Sequence, residues 1–497
     1  MICGEKIVTA EEMVRVEKLA YEAGFSEEAF MENAGRGIAE KTLDFIETKL
    51  LEKRVTLLVG KGNNGGDALV AGKHLLTKGF SVTAVHTHPP EECSPLAQKQ
   101  WAAFKNAGGT HSMDGELQCV LLDGLTGTGF HGKAEGPLAS LIERANRSEL
   151  PILAIDIPSG LKGSTGEVGS VAIQATQTLY LGLPKIGFFI GKGWNHVGEL
   201  ISVNFGLNEK YVGEANATAL LLDSKKIGCA LPPIQRNRHK YQAGYVVAVA
   251  GSCGFSGAAF LACLAALRSG AGIVRLFHGW GMEGEMGSAP LEIVKEEISD
   301  LGRVFEECKR ASATLIGPGI GRTRETEKLL KPLLANLSLP TVLDADALFL
   351  LAKNPSWKLP THTILTPHRK EAERLLHVSP SNDEHLFHTQ CQEYVEKNKV
   401  TLLLKGGPSF IFHPQTLPLV CTRGDPGMAT AGTGDVLTGI LAALLAQGLD
   451  PQHAAALGVT LHGIAGEVAA FQKTSYSLIA SDLIDYLPEA FWEMLND

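Results

Sequence analysis

No Cys-x-x-Cys pair occurs among the nine cysteines, which leaves no ligand spacing for a zinc ribbon. Their odd number also speaks against a disulfide framework and for reduced thiols, as in a cytoplasm. Positive charge is in deficit, with 45 Lys and Arg against 54 Asp and Glu, so a nucleic-acid-coating role is disfavoured. No apolar run stands out as long enough to cross a bilayer, and no membrane association is expected. The start, Met1-Ile2-Cys3-Gly4-Glu5-Lys6, has no basic leader followed by an apolar stretch, so no secretory signal is expected. Internal repeats and low-complexity tracts are missing too. What remains is 44% hydrophobic and 20% charged over 497 residues, the composition of a packed enzyme too long for a single core.

Glycine turns at strand ends dominate what is present. Thr9-Ala10-Glu11-Glu12 reads as a capping box, and Met31–Gly37 as helical with small residues that admit a close neighbour. Val55–Val59 reads as a buried strand entering Gly60-Lys61-Gly62-Asn63-Asn64-Gly65-Gly66-Asp67. That is a Gly-x-Gly-x-x-Gly turn, but the next strand, Ser81–His86, ends without the ribose-binding carboxylate of an ordinary dinucleotide fold. Val120–Leu122 leads into Asp123–Phe130, and Ile152–Ile155 into Asp156-Ile157-Pro158-Ser159-Gly160. Parallel strands collect such ends on one edge, where Asn64, Asp123 and Ser159 can converge as oxygen donors around a cation. Each carboxylate taken singly can equally be a helix cap.

These pieces resemble the N-terminal epimerase domain of bifunctional NAD(P)H-hydrate repair enzymes, over roughly residues 5–215. The resemblance implies that Asn63, Asn64, Gly65, Gly66 and Asp67 contact the hydrated nucleotide. It implies the same of Gly127, Thr128, Gly129, Phe130, His131, Gly132 and Lys133. It further implies K+ on Asn64, Asp123 and Ser159, and a catalytic, substrate-contacting Asp156. Ala68 stands where the family has glycine.

A change of character over Leu207–Leu231 places a domain boundary near residues 212–222, giving domains 1–215 and 222–497. The second half is organised around Gly424–Asp435, which runs into the apolar stretch Val436–Ala446. Small residues there let backbone N–H groups point at an anion, and Asp435 at the helix mouth suits a base that strips a proton from a hydroxyl. A tight turn with an aspartate cap explains the bare motif as well. Further strand ends are Gly251–Ala259, Gly317–Gly321, Asp344–Leu348, Thr366–His368 and Lys405-Gly406-Gly407-Pro408-Ser409, the last suited to a nucleotide phosphate. Cys253, with no base near it in sequence, reads as a small buried residue.

The set resembles the ribokinase-like fold, and more closely the ADP- or ATP-dependent hydrate dehydratase domain, over about residues 225–495. The resemblance implies that Ala258, Gly319, His368 and Asp435 face the hydrate. Lys405, Gly406, Gly407, Pro408, Ser409 and Gly434 would face ADP or ATP, with Mg2+ arriving with the nucleotide. Arg369-Lys370 and Ala431 depart from the family pattern. The expected whole is an α/β protein of two three-layer αβα domains, Rossmann-like then ribokinase-like. It would epimerise R- and S-NAD(P)H hydrate (NADHX, NADPHX) and dehydrate the S form, as a homo-oligomer. The alternative is a vitamin or sugar kinase carrying a non-catalytic nucleotide-binding N-terminal domain.

Overall fold

The computed structural model describes residue 2 and residues 4–112 and 115–496. Cys3 lies outside them, and the other eight cysteines are free thiols. The chain forms two compact units, Lys6–Ala219, and Leu220–Asp497 with Met1–Glu5.

The first unit is built on a seven-stranded parallel sheet in the order Thr110–Ser112, Ser81–His86, Arg54–Val59, Val120–Gly124, Ile152–Ile155, Gln177–Leu181, Glu199–Val203. Alternate side chains of one strand enter opposite cores: Leu57 and Val59 join one cluster, Leu58 the other. Helices cover both faces, giving three αβα layers. Thr9 caps the Ala10–Glu22 helix by accepting from Glu12 N at 3.1 Å. The small residues of Met31–Gly37 serve packing: a Cβ on Gly35 would lie 2.4 Å from Val70 Cγ1. Ala68 packs against Gly124 in the same way. The Val120 strand runs on to Gly124, so Asp123 is inside the strand and fully buried, not in the following loop.

The second unit carries an eleven-stranded sheet. Its parallel centre runs Thr401–Leu404, Thr363–Leu365, Thr341–Leu343, Ala313–Ile316, Tyr245–Val249, Ile273–His278, Val294–Glu297. Ser409–Phe412 folds back antiparallel on Thr401–Leu404, which makes Lys405–Pro408 a hairpin turn. The Thr433–Ala446 helix is buried at every residue from Val436 to Ala446 and lies against Ser256–Arg268. One expectation fails here. Pro451–Lys473 is long and apolar enough to cross a membrane, but 83% of its apolar window is buried in the unit, which makes it a core helix.

The Thr433–Ala446 helix holds its position through a glycine contact. A Cβ on Gly439 would stand 2.0 Å from Ala262 O and 2.9 Å from Ala265 Cβ. Gly439→Ala is expected to lower stability by about 1–3 kcal/mol despite alanine's better helix propensity, read as a reduced urea midpoint.

Candidate active sites

In the first unit a cavity of about 670 Å³ opens at the C-terminal ends of the strands. The glycine turn after Arg54–Val59 brings Asn63, Asn64 and Asp67 to its wall, and the loop after Val120–Gly124 brings Gly127, Thr128, Gly129, Phe130 and His131. Asp156 enters from the end of Ile152–Ile155. It holds a left-handed φ of 62°, a strained conformation for a non-glycine residue of the kind found where position matters. Gly65, Gly66, Gly132 and Lys133 do not line the cavity. Gly65 is pressed against the Gly60 backbone and Gly66 against the Met31 thioether. Asn63 donates to Glu27 Oε1 at 2.7 Å.

Sequence reading missed one group on the cavity wall, Glu17, and one buried behind it, Lys185. Lys185 is fully buried and donates to Asp156 Oδ1 at 2.5 Å and to Leu181 O at 2.8 Å. Glu17 reaches the cavity from the first helix. Its sequence signal was a charge on the buried stripe of Met13 and Ala20. Asp67, with no hydrogen-bond or ion-pair partner among the described residues, is held well above the usual carboxylate range by burial first, then by the charges of Asp156, Glu17 and Glu27.

Behind this wall, Asn64, Asp123 and Ser159 form one buried cluster joined through Thr126. Asn64 Nδ2 donates to Thr126 O at 2.7 Å and to Ile155 O at 3.0 Å, which leaves its Oδ1 free of hydrogen bonds. Asp123 accepts from Ser159 Oγ at 2.6 Å, Ser159 N at 2.8 Å and Leu125 N at 3.2 Å. Burial still pushes it up to about 6 against those hydrogen bonds, because no cationic side chain among the described residues neutralises it. An all-oxygen set around an uncompensated carboxylate fits a hard cation.

In the second unit the expected groups meet at the Gly432–Asp435 turn. Gly432, at φ 94°, caps the buried helix, and Asp435 sits in its first turn with no side-chain hydrogen bond among the described residues. Lys405 Nζ donates to Asp344 Oδ1 at 2.8 Å, and Thr438 Oγ1 donates to Asp344 Oδ2 at 2.7 Å. Gly434 leaves room for this pair, since a Cβ there would be 3.2 Å from Lys405 Nζ. Asp344 is thus a site residue whose role sequence reading did not assign. Burial lowers the Lys405 ammonium, but Asp344, Glu371 and Asp435 overcome that and hold it above its usual range. Burial, then the Asp344 charge, push Asp435 up to about 7 against the pull of Lys405.

His368 joins Lys405 through a parallel backbone bridge while its ring stays half exposed. Gly319 and Ala258 are neighbours, 3.3 Å apart for a Cβ built on Gly319. Gly406 and Gly407 are exposed at the hairpin tip, Pro408 is buried, and Ser409 Oγ donates to Gly406 O at 3.0 Å. Cys253 is exposed, contrary to the buried reading. Arg369, the first departure, bonds Glu373 at 2.8 Å and Glu384 at 2.6 Å and stacks on Phe387, so it joins two helices. Ala431 keeps an ordinary negative φ and demands no glycine.

Comparison with known proteins gives two family matches. A family model described as YjeF-related protein N-terminus matches residues 27–187, and one described as NAD(P)H-hydrate dehydratase matches residues 246–489. The chain is similar to a bifunctional NAD(P)H-hydrate repair enzyme of Moorella thermoacetica, 35% identical over 97% of this chain and 96% of that one. The enzyme of the same description from Escherichia coli K12 is 33% identical over 87% and 84%. Among solved structures, a ribokinase-like superfamily protein of Enterococcus faecalis V583 is 28% identical with a TM-score of 0.51, covering 55% of this chain and 95% of that one.

A carboxyl raised in the folded state destabilises that state wherever it is ionised. For Asp435 this penalty is full above about pH 7 and disappears below its ordinary value of 3.8. Asp435→Asn is therefore expected to stabilise the protein at pH 8 by about 1–3 kcal/mol, with the gain fading toward pH 4 in denaturant titrations.

Proposed function

The chain belongs to the bifunctional NAD(P)H-hydrate repair enzymes, and from that premise we propose which site performs which half of the repair. The Lys6–Ala219 cavity interconverts the R and S hydrates, and the Asp435 site dehydrates the S form with ADP or ATP. The observation that carries the second assignment is Asp435 itself: a carboxyl at a helix mouth with no hydrogen bond among the described residues, raised to about 7, beside the Lys405–Asp344 pair.

A base near neutrality removes the proton from the substrate hydroxyl as its oxygen attacks the terminal phosphorus of the nucleotide. Backbone N–H groups of the Gly432–Asp435 turn face the charge that develops there, and Lys405 adds a fixed positive charge. The resulting phosphate ester is a far better leaving group than hydroxide. Its departure, with loss of a ring proton, restores the reduced nicotinamide and releases AMP and phosphate from ADP. Gly319 and Ala258 bound the hydrate side. The Lys405–Ser409 hairpin turn and Gly434 bound the nucleotide side. Mg2+ would arrive with the nucleotide phosphates.

In the first unit, Asn63, Asn64, Asp67 and the Gly127–His131 loop hold the hydrate, with Asp156 fixed on it by Lys185. Asn64, Asp123 and Ser159 would hold K+, whose charge would neutralise Asp123 and stiffen the loops that carry the cavity wall. Epimerisation is expected to rise saturably with K+ at constant ionic strength, and Asp123→Asn to abolish that dependence. A rate indifferent to K+ would remove the ion from this account.

The decisive assay supplies mixed epimers with ADP and follows the absorbance of reduced nicotinamide. The wild type is expected to convert both epimers. Asp435→Asn is expected to lose dehydration by about 10³-fold while still epimerising, and Asp156→Asn to convert only the S fraction quickly. Loss of both activities in one folded single variant would contradict independent sites.

A further inference from the structure

A half-buried carboxylate on the inward stripe of a helix is out of place unless something uses it. Glu17 shares its side of the Ala10–Glu22 helix with Met13 and Ala20 and faces the first cavity. It precedes residues 27–187, the stretch the family model matches. No hydrogen bond or ion pair engages it among the described residues. The lysines nearby are already committed, Lys185 to Asp156 at 2.5 Å and Lys61 at the rim to Glu92 at 3.0 Å.

The groups acting on Glu17 come from each element around it. Burial first, then the Asp156 charge, push it up to about 7; Lys185 pulls it down, and Glu27 adds a further push. Tyr21, one turn along the same helix, is raised by burial and then by Glu17, and Asp67 from the glycine-turn helix is raised as well. Near neutrality Glu17 therefore stands where a carboxyl both holds and releases a proton, beside Asp156 bonded to Lys185.

Resting on the epimerase reading of this cavity, we propose that Glu17 is a catalytic acid of the epimerisation, working with Asp156 as base. The hydroxyl of the hydrate sits on the ring carbon bonded to nitrogen. The nitrogen lone pair forms a C=N bond as the C–O bond breaks, and the hydroxyl takes the Glu17 proton and departs as water. A second water attacks the opposite face of that carbon, the C=N pair returns to nitrogen, and the water's proton passes to Asp156. One water leaves and one enters, and nothing is oxidised or reduced. Proton exchange with solvent then resets the two carboxyls, which trade roles in the reverse direction.

The test uses the full chain with the R hydrate, measuring kcat and KM for R-to-S conversion in ¹⁸O-labelled water. Glu17→Gln is expected to lower kcat by about 10²–10⁴-fold with KM changed by less than about threefold. Glu17→Asp, which keeps a carboxyl, is expected to recover part of the loss. Wild-type kcat should fall as pH rises through about 7, since Glu17 must be protonated, and the product hydroxyl should carry the label. A Glu17→Gln variant with wild-type kcat overturns the proposal. Should that variant not fold, a wild-type kcat flat from about pH 6 to 8, or product without label, overturns it instead. A wild-type chain that does not epimerise at all overturns the epimerase assignment, a distinguishable failure.

Discussion

Each unit contains a lysine set beside more carboxylates than it can neutralise, and the chemistry of both sites follows from that imbalance. Lys185 is committed to Asp156, so it only tempers Glu17, while Asp67 is raised by burial and by the charges of Asp156, Glu17 and Glu27. Lys405 is committed to Asp344, which leaves Asp435 in the same position. A single ammonium holds one carboxylate close and merely tempers the next. The second carboxyl rises toward neutrality, where a group both binds and releases protons readily. The protein bears the cost as stability forgone at each site, the usual bargain at catalytic positions.

Parallel sheets make such arrangements accessible. Every strand of the first sheet and the central strands of the second deliver their C-terminal ends to one edge, so residues far apart in sequence meet there without a dedicated scaffold. Both edges carry local strain at the point of delivery: Asp156 itself has φ 62°, and Ala345, next to Asp344, has φ 50°. These conformations persist because the strand before and the helix or loop after fix the backbone on both sides.

What the sequence disclosed and what it withheld divide along that line. Glycine turns and strand ends are local, so Gly60–Asp67, Asp156–Gly160 and the Gly432–Asp435 helix mouth were legible from residue type and spacing. Partnerships were not: Lys405 and Asp344 are 61 residues apart, and Lys185 and Asp156 29 apart. The phosphate-binding look of Lys405-Gly406-Gly407 concealed that the lysine's first partner is a carboxylate. Polarity misled in the opposite sense at Asp123, where a residue read as a loop ligand is the buried end of a strand. Pro451–Lys473 shows the limit of hydropathy, because a core helix of a large α/β unit meets the same criterion as a membrane span.

Two sites are needed because the two reactions make opposite demands on water. In the proposed epimerisation water leaves one face of the carbon and enters the other, and the first cavity, about 670 Å³ in volume, offers room for such a step. Phosphoryl transfer is spoiled by water, which competes with the substrate hydroxyl for the same phosphorus. Asp435 stands at the mouth of a helix buried from Val436 onward, where the partly exposed Gly432–Asp435 turn brings small residues and backbone to the carboxyl. A pocket wet enough for the first step would hydrolyse the nucleotide of the second. The substrate's chemistry itself therefore calls for two separate pockets, and one chain that carries both supplies them in equal number.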